Sequence, residues 1–421
     1  NNMAKVLQVG GYTSGFAQNF ALTRYGTCAS TFHYSNATEA NRKITYRTAG
    51  TLSNLWIRVT TNTLDGTTTI RTRIDTDGGS ANGNQVISIS ATQTGAFTDA
   101  VNTDSISVGN EVNYSIVTAG TTGTITSTLL NICFAASSNT VIKHATIYVR
   151  NISTASTTIY SAISGYTITN TTEKKTSFDF NSPGTLQNLF LYITANARTT
   201  TTTFRTRKNQ TTNGNQVISV GASVTGILED NTNTDTVAAD DDWNYSITTG
   251  TGTETLTYEI LAIEFLTTNN KFHTINSYPN VDGQPIDANL TRYETLGGYI
   301  YPNATELNTE SLLNITATVS NLFIYIGVNT VTATSTFTLR KNGDTDTVVT
   351  LSIAASTTGQ FEDAVNTVAL ITTDLINYKL VTGATGTSLS ISIMGCMIEN
   401  TETIGVVVKD LVQEGIVAFP R

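Results

Sequence analysis

The chain is poor in what most enzymes and nucleic-acid binders need. Only 13% of its 421 residues are charged, and it holds three histidines, three cysteines, two tryptophans and five prolines. His33, His144 and His273 stand at unrelated points, with no two at metal-ligand spacing, so a zinc centre or a histidine-based triad is not expected. Phosphate-binding glycine motifs are missing too. The formal net charge is -9 and no run of Lys or Arg occurs, which removes the basic footprint that neutralising phosphates requires. Cys28, Cys133 and Cys396 are an odd, widely spaced set, which reads as buried free thiols rather than a disulfide framework. No segment approaches 18 apolar residues, and the stretch from Met3 to Gly10 lacks the apolar core of a secretory signal. Neither a membrane nor a nucleic acid is therefore expected as a partner, and no cofactor is indicated.

About a fifth of the chain is threonine, with abundant asparagine and glycine. Thr is β-branched and polar, which suits the wet face of a strand and disfavours helix. No long amphipathic helix can be read.

The sequence also repeats, three times, at a period near 133 residues. Asn36-Ala37-Thr38-Glu39 returns as Asn170-Thr171-Thr172-Glu173 and Asn303-Ala304-Thr305-Glu306. Asn54-Leu55, Asn188-Leu189 and Asn321-Leu322 follow, then Thr94-Gly95, Thr225-Gly226 and Thr358-Gly359, and last Asn113-Tyr114, Asn244-Tyr245 and Asn377-Tyr378. Leu22-Thr23-Arg24-Tyr25 and Leu290-Thr291-Arg292-Tyr293 place the starts near residues 22, 155 and 289. The expected organisation is an N-terminal arm over 1–21 and three domains over 22–154, 155–288 and 289–421, the last ending in a terminal strand region. Each is large enough for its own core, so beads on a string are expected.

The third copy shows the strands most plainly. Leu322, Ile324, Ile326 and Val328 share one phase, as do Phe337 and Leu339, then Val349, Leu351 and Ile353, then Ile376, Tyr378 and Leu380, then Leu389, Ile391 and Ile393. Alternation of this kind marks half-buried strands. Asn342-Gly343 supplies a tight hairpin turn. With flanking strands near Tyr299 and Leu312 each copy has about eight, giving an all-β chain of three tandem antiparallel sandwiches. Jelly-roll order is expected, with an immunoglobulin-like order left open.

Two features carry candidate sites. On the phase opposite the core, Trp56, Phe190 and Phe323, with Tyr192 and Tyr325, form a second apolar stripe. Either its own sandwich covers it, or it faces the next domain or another subunit. The corners Asp99-x-x-Asn102, Asp230-x-x-Asn233 and Asp363-x-x-Asn366 either fix a turn by accepting backbone N–H groups or, as weak calcium candidates at Asp230, Asn233, Asp363 and Asn366, offer oxygens to Ca²⁺. Asp240-Asp241-Asp242, present in one copy only, reads as a solvated turn. No pair of carboxylates is singled out for glycoside hydrolysis, and no residue is assigned a catalytic role.

Ser335-Thr336-Phe337-Thr338-Leu339-Arg340-Lys341-Asn342-Gly343-Asp344, followed by Thr358-Gly359-Gln360-Phe361-Glu362-Asp363, resembles a β-sandwich module of virion proteins from tailed phages (bacteriophages) and related environmental viruses. The resemblance spans all three copies, strongest in the third, and departs at the longer hairpins of the first two. It implies a non-enzymatic structural protein on the outer surface of a virion, a capsid decoration or cement protein or a tail-fibre component. Its implied partners are other virion proteins, such as a major capsid protein or fibre and tail proteins, with self-association. The arm over 1–21 and the region 401–421 would grip neighbours. A carbohydrate-binding adhesin or receptor-binding protein reading a host surface glycan is the alternative, and a depolymerase ranks last.

Overall fold

A computed structural model describes residues 5–402 apart from 77, 78, 138, 279, 281 and 344. The described residues are all-β, and helix among them is limited to three short 3₁₀ turns at Glu39–Arg42, Glu173–Thr176 and Glu306–Asn308. Thr-rich alternation produces long strands because one face of each is apolar and the other tolerates water.

One strand order recurs three times. In the first set the long strands are Lys5–Asn19, Thr23–Thr27, Gly50–Asn62, Thr68–Thr76, Gly79–Ile89, Gly95–Ile106, Glu111–Thr118 and Thr124–Ala136. Counted one to eight, they make one sheet in the order 1-8-3-6 and a facing sheet in the order 2-7-4-5. This is a jelly roll, two four-stranded layers with strands alternating between them. The same two orders recur from Thr140–Ile152 to Leu256–Thr267, and again from Lys271–Ser277 to Gly386–Asn400. In the third set the first strand is broken and resumes at Gln284–Asp287.

These pairings correct the expected boundaries. The stretch expected as an arm over 1–21 is, over Lys5–Asn19, a strand laid along Thr124–Ala136, with Val6 opposite Phe134. Likewise Thr140–Ile152 lies along Leu256–Thr267, and Lys271–Ser277 along Gly386–Asn400, so the sets start 17, 15 and 18 residues before the expected 22, 155 and 289. The reason is chemical. Register places Val6, Leu7 and Gln8 level with Ile142, Lys143 and His144 and with Phe272, His273 and Thr274, and these strands share almost no residue. Only Tyr12, Tyr148 and Tyr278 recur. The region 401–421 lies, from residue 403 on, outside the described residues.

Repeated words do local work. Asn54, Asn188 and Asn321 take positive φ (57°, 57° and 50°) and set a bulge in the third strand of each set. Gln85 and Gln216 then accept the freed N–H of Leu55 (2.9 Å) and Leu189 (2.8 Å). Asn342 and Gly343 both have positive φ (55° and 76°), the conformation these two residue types adopt most readily, but Lys341 pairs with Thr345, so the connection is one residue longer than a two-residue hairpin. Glu39, Glu173 and Glu306 each grip an arginine of the fourth strand in a two-pronged pair, Arg73, Arg207 and Arg340, with Nε to Oε1 at 2.9, 3.0 and 2.8 Å.

The sandwiches are not beads on a string. One apolar cluster runs through residues of all three, and the 1-8-3-6 sheets of the first and third merge where Tyr12 pairs with Tyr299.

Candidate functional site

Each sandwich has a short strand after its second long one, at Thr31–Phe32, Gly165–Tyr166 and Gly298–Tyr299, running parallel to its own first strand. These six strand segments gather about one axis. Phe32, Tyr166 and Tyr299 form a triangle of rings with centroids 5.4, 4.7 and 5.2 Å apart. Outside it sit Tyr12, Tyr148 and Tyr278, each against the ring of its own sandwich (4.9, 4.9 and 5.1 Å) and that of another (5.4, 6.4 and 6.0 Å). Tyr34 reaches Tyr148 at 5.1 Å and Tyr301 reaches Tyr12 at 6.0 Å. Edge-on and offset contacts at these spacings suit the ring quadrupoles. Most of the rings are half-buried and Tyr301 is exposed, so the cluster forms an aromatic cap at one end of the axis. Only glycine fits at two of its seams: a Cβ on Gly298 (φ 119°) would strike the backbone of Gly11, and one on Gly165 (φ 106°) would strike Ser277 and Gly298.

The contacts are cyclic. Asn170 Nδ2 donates to the Asn280 carbonyl (2.8 Å), from second sandwich to third, and Asn303 Nδ2 donates to the Thr13 carbonyl (2.7 Å), from third to first. Asn36 Nδ2 reaches Glu259 Oε2 (3.5 Å), from first to second. Each Asn Oδ1 meanwhile accepts the N–H two residues on, at 2.8, 2.7 and 2.8 Å. The repeated Asn therefore fastens a turn and a neighbour at once. Contacts that follow one direction and return to the start form a closed ring of the heterologous kind, here within a single chain.

Behind this common pattern the seams differ. Between first and second, Arg42 Nη1 lies 2.7 Å from Glu259 Oε2 with both side chains buried, and Arg47 pairs with Glu229. Between third and first, Arg58 reaches Glu310 at 3.5 Å. Between second and third, Asn181 donates to Glu362 (2.7 Å) and Gln360 to Asp179 (3.0 Å).

The stripe residues lie as follows. Phe190 is fully buried in a cluster with Ala145, Ile147, Ile260 and Ala262 of its own sandwich and Ala29 and Ile44 of the first; Tyr192 packs on it and its hydroxyl donates to Asn41 (3.3 Å). Phe323 meets Phe178 of the second sandwich at 5.2 Å. Trp56 lies under the Arg58 guanidinium, 5.4 Å from its carbon, and so beside Glu310 of the third sandwich. Tyr325 is half-buried against the main core.

At the three corners the carboxylates are filled by donors. Asp230 accepts Val217 N–H (2.8 Å), Asn233 N–H (3.1 Å) and Thr232 N–H (3.3 Å); Asp363 accepts Thr350 N–H, Asn366 N–H and Val365 N–H, and Asp99 has the matching set. Asn233 and Asn366 turn Nδ2 toward both Asp oxygens (3.0–3.1 Å), placing N–H groups where a cation would need oxygen. Against burial, which pushes them up, these donors hold the three carboxyls below the usual range.

Buried groups elsewhere are strongly shifted. Burial lowers His33 to about 4 and His144 and His273 to about 3; His33 Nε2 meets Ser127 Oγ at 2.8 Å, while the other two rings lie among Phe178, Phe180 and Phe265. Cys28 and Cys133 are pushed up to about 12 by burial, and Cys396 is raised. Glu294 is pushed up to about 8 by burial, against N–H bonds from Thr295 (2.9 Å) and Tyr301 (2.7 Å). Side-chain period does not reveal the cap; its trace in the first strands is the recurrence of Tyr12, Tyr148 and Tyr278.

No known family matches the chain, and no curated protein matches it. A solved structure described as the triple jelly roll fold and turret assembly in an archaeal virus is similar over 93% of this chain and 90% of its own, at 13% identity and a TM-score of 0.20. An overlap that low bears on neither fold nor function here.

Proposed function

We propose that this protein is a non-enzymatic structural component of a virion's outer surface, built as three tandem jelly-roll domains of about 133 residues. Its role is that of a capsid decoration or cement protein, with a fibre component as the other form, and its partners are other virion proteins. The observation that carries this reading is the closed ring: three sandwiches with the same strand order, joined head to tail about one axis. Such an object presents near-equivalent surfaces three times and suits a site of local three-fold symmetry. It also has two unlike ends. The first strands run the same way along the axis, so the aromatic cap lies at one end and Lys5 and Asn400 at the other, where Asn400 Nδ2 donates to the Lys5 carbonyl (2.8 Å). Particles purified from the source, imaged and digested for mass spectrometry, test the reading. Density for a three-lobed ring on the capsid or a fibre supports it, and absence of the protein from intact particles overturns it.

Glycan binding is the second reading, favoured by an open groove where the third first-strand is broken. Tyr301, exposed by 41%, and Pro302 there adjoin Gln284, Asp287 and Arg292. An aromatic face beside amide, carboxylate and guanidinium groups is the chemistry that holds a sugar ring. A glycan array without signal above background removes this reading.

A further inference from the structure

The three seams share one scaffold, so each is a control for the others. Where a short strand meets the seventh strand, Thr45 faces Glu111, Asp179 faces Asp242, and Leu312 faces Leu375. Two residues on stand Arg47, Asn181 and Asn314. In the first-to-second seam Arg47 supplies the positive charge that Glu229 faces. In the second-to-third seam its place is taken by Asn181, whose amide meets Glu362, the counterpart of Glu229, while Thr45 is replaced by a second acid.

The result is a charge deficit at a buried place. Asp179, only 6% exposed, lies directly opposite Asp242 on a paired strand and near Glu362 and Asp240, against one ammonium, Lys174, at 2.6 Å from Asp242 Oδ2. Like charges so placed repel across a strand pair. Burial, and then these carboxylates, push the Asp179 carboxyl up to about 6. The free oxygens point to the remedy. Asp179 Oδ2 is taken by Gln360, and Asp242 Oδ2 by Lys174 and Gln210, but Oδ1 of Asp179, Oδ1 of Asp242 and Oδ1 of Asn181 are buried without a hydrogen-bond partner. An unpartnered buried carboxylate oxygen is costly.

We propose that a divalent cation, Ca²⁺, binds at the seam between the second and third sandwiches, on the Oδ1 atoms of Asp179, Asp242 and Asn181, and takes the role that Arg47 fills one seam earlier. Ca²⁺ favours six to eight oxygens in flexible geometry, so water completes the shell. Two carboxylates and one amide oxygen are a low ligand charge, and among the described residues no three His, Cys, Asp or Glu side chains gather into a cage, so weak binding, roughly 10⁻⁴–10⁻³ M, is expected. The aspartate run that occurs in one copy alone thus has a use: Asp242 is the ligand, while Asp241 is held by Lys208 at 2.6 Å.

Calorimetric titration of CaCl₂ into the EDTA-treated full chain, with thermal unfolding in about 5 mM CaCl₂ and in EDTA, tests the site. The expected result is one saturable binding event and a Tm several degrees higher with Ca²⁺. Asp179→Asn and Asp242→Asn should each weaken binding about tenfold or more, and Asp240→Asn, at an exposed position, should leave it unchanged. The proposal fails if the wild-type chain shows neither heat nor Tm shift. It also fails if Asp179→Asn and Asp242→Asn respond like wild type, or if Asp179→Asn only removes a stability transition near pH 6, which would mean that a proton fills the place. The wild-type titration decides the first point even if a variant does not fold.

Discussion

Arg42 of the first sandwich and Glu259 of the second form an ion pair at 2.7 Å that water scarcely reaches. Its origin lies in a substitution between copies. The positions equivalent to Arg42 are Thr176 and Thr309, whose hydroxyls accept from Asn244 and Asn377 at 2.7 Å. Arg42 cannot do this, and the side chain of Asn113 is left without a partner. One internal hydrogen bond has been given up for a bond between sandwiches.

Arg42→Ala should therefore destabilise the chain by about 3–5 kcal/mol, because it leaves the buried Glu259 carboxylate with the amides of Asn36 and Asn41 but no cation. Arg42→Thr should cost less, since the new hydroxyl regains Asn113. Urea unfolding of both variants, with Arg42→Thr/Glu259→Gln as a third, measures the difference.

Truncating the axial triangle should loosen the whole ring. Phe32→Ala, at a residue 5% exposed, removes five ring contacts that involve all three sandwiches, and a loss of about 3–5 kcal/mol is expected. Calorimetry should show a single wild-type transition split into two or more, because the sandwiches no longer melt together.

Acid should weaken the fold through its histidines. His144 and His273 stay neutral in the fold down to about pH 3, whereas the unfolded chain takes up their protons near 6.5. Between those values the unfolded state binds more protons, so stability falls with falling pH by about 1.4 kcal/mol per unit for each histidine. His273→Leu, which copies Leu7 of the first sandwich, should make the slope between pH 6 and 4 shallower in denaturant titrations.

Glu294 works in the other direction. Its folded pKa near 8 lies above the ordinary value of 4.5, so the folded state holds the extra proton, and stability is full below about pH 4.5 and lost as pH rises through 8. Glu294→Gln should flatten stability between pH 5 and 8 while keeping the Tyr301 N–H bond. A slope unchanged from wild type would refute this.

All three thiols are buried and raised, so none should react with an alkylating agent at pH 8 while the chain is folded. Mass spectrometry should count no adducts in buffer and three in denaturant.

Much of the sandwich could be read from side-chain period, because a strand with one wet face writes its burial into every second residue. Val349, Leu351 and Ile353 alternate in the sequence and are buried in the structure, while Thr350 and Ser352 between them are exposed. The first strands resisted reading for the opposite reason. Val6 to Val9 and Val141 to Ile147 are covered on both faces, by their own core and by the neighbouring sandwiches, so they carry no alternation and little common vocabulary. Asn36, Asn170 and Asn303 were visible as words of a turn, but a hydrogen bond to another copy leaves no local trace. The second-to-third seam was harder still: Asp179 and Asp242 lie 63 positions apart, and only the register of paired strands sets them face to face.

Closing the ring through Tyr12 and Tyr299 has a consequence in time as well as in space. On the ribosome the first sandwich is complete long before the third exists, and its share of the axis, with Tyr12 and Phe32, has no covering surface meanwhile. Contacts of such long sequence separation form last and slowly, and the uncovered rings are then open to the same rings on a neighbouring nascent chain. Threading three sandwiches on one polypeptide limits that hazard, since the correct partner is always tethered nearby and arrives in a fixed order.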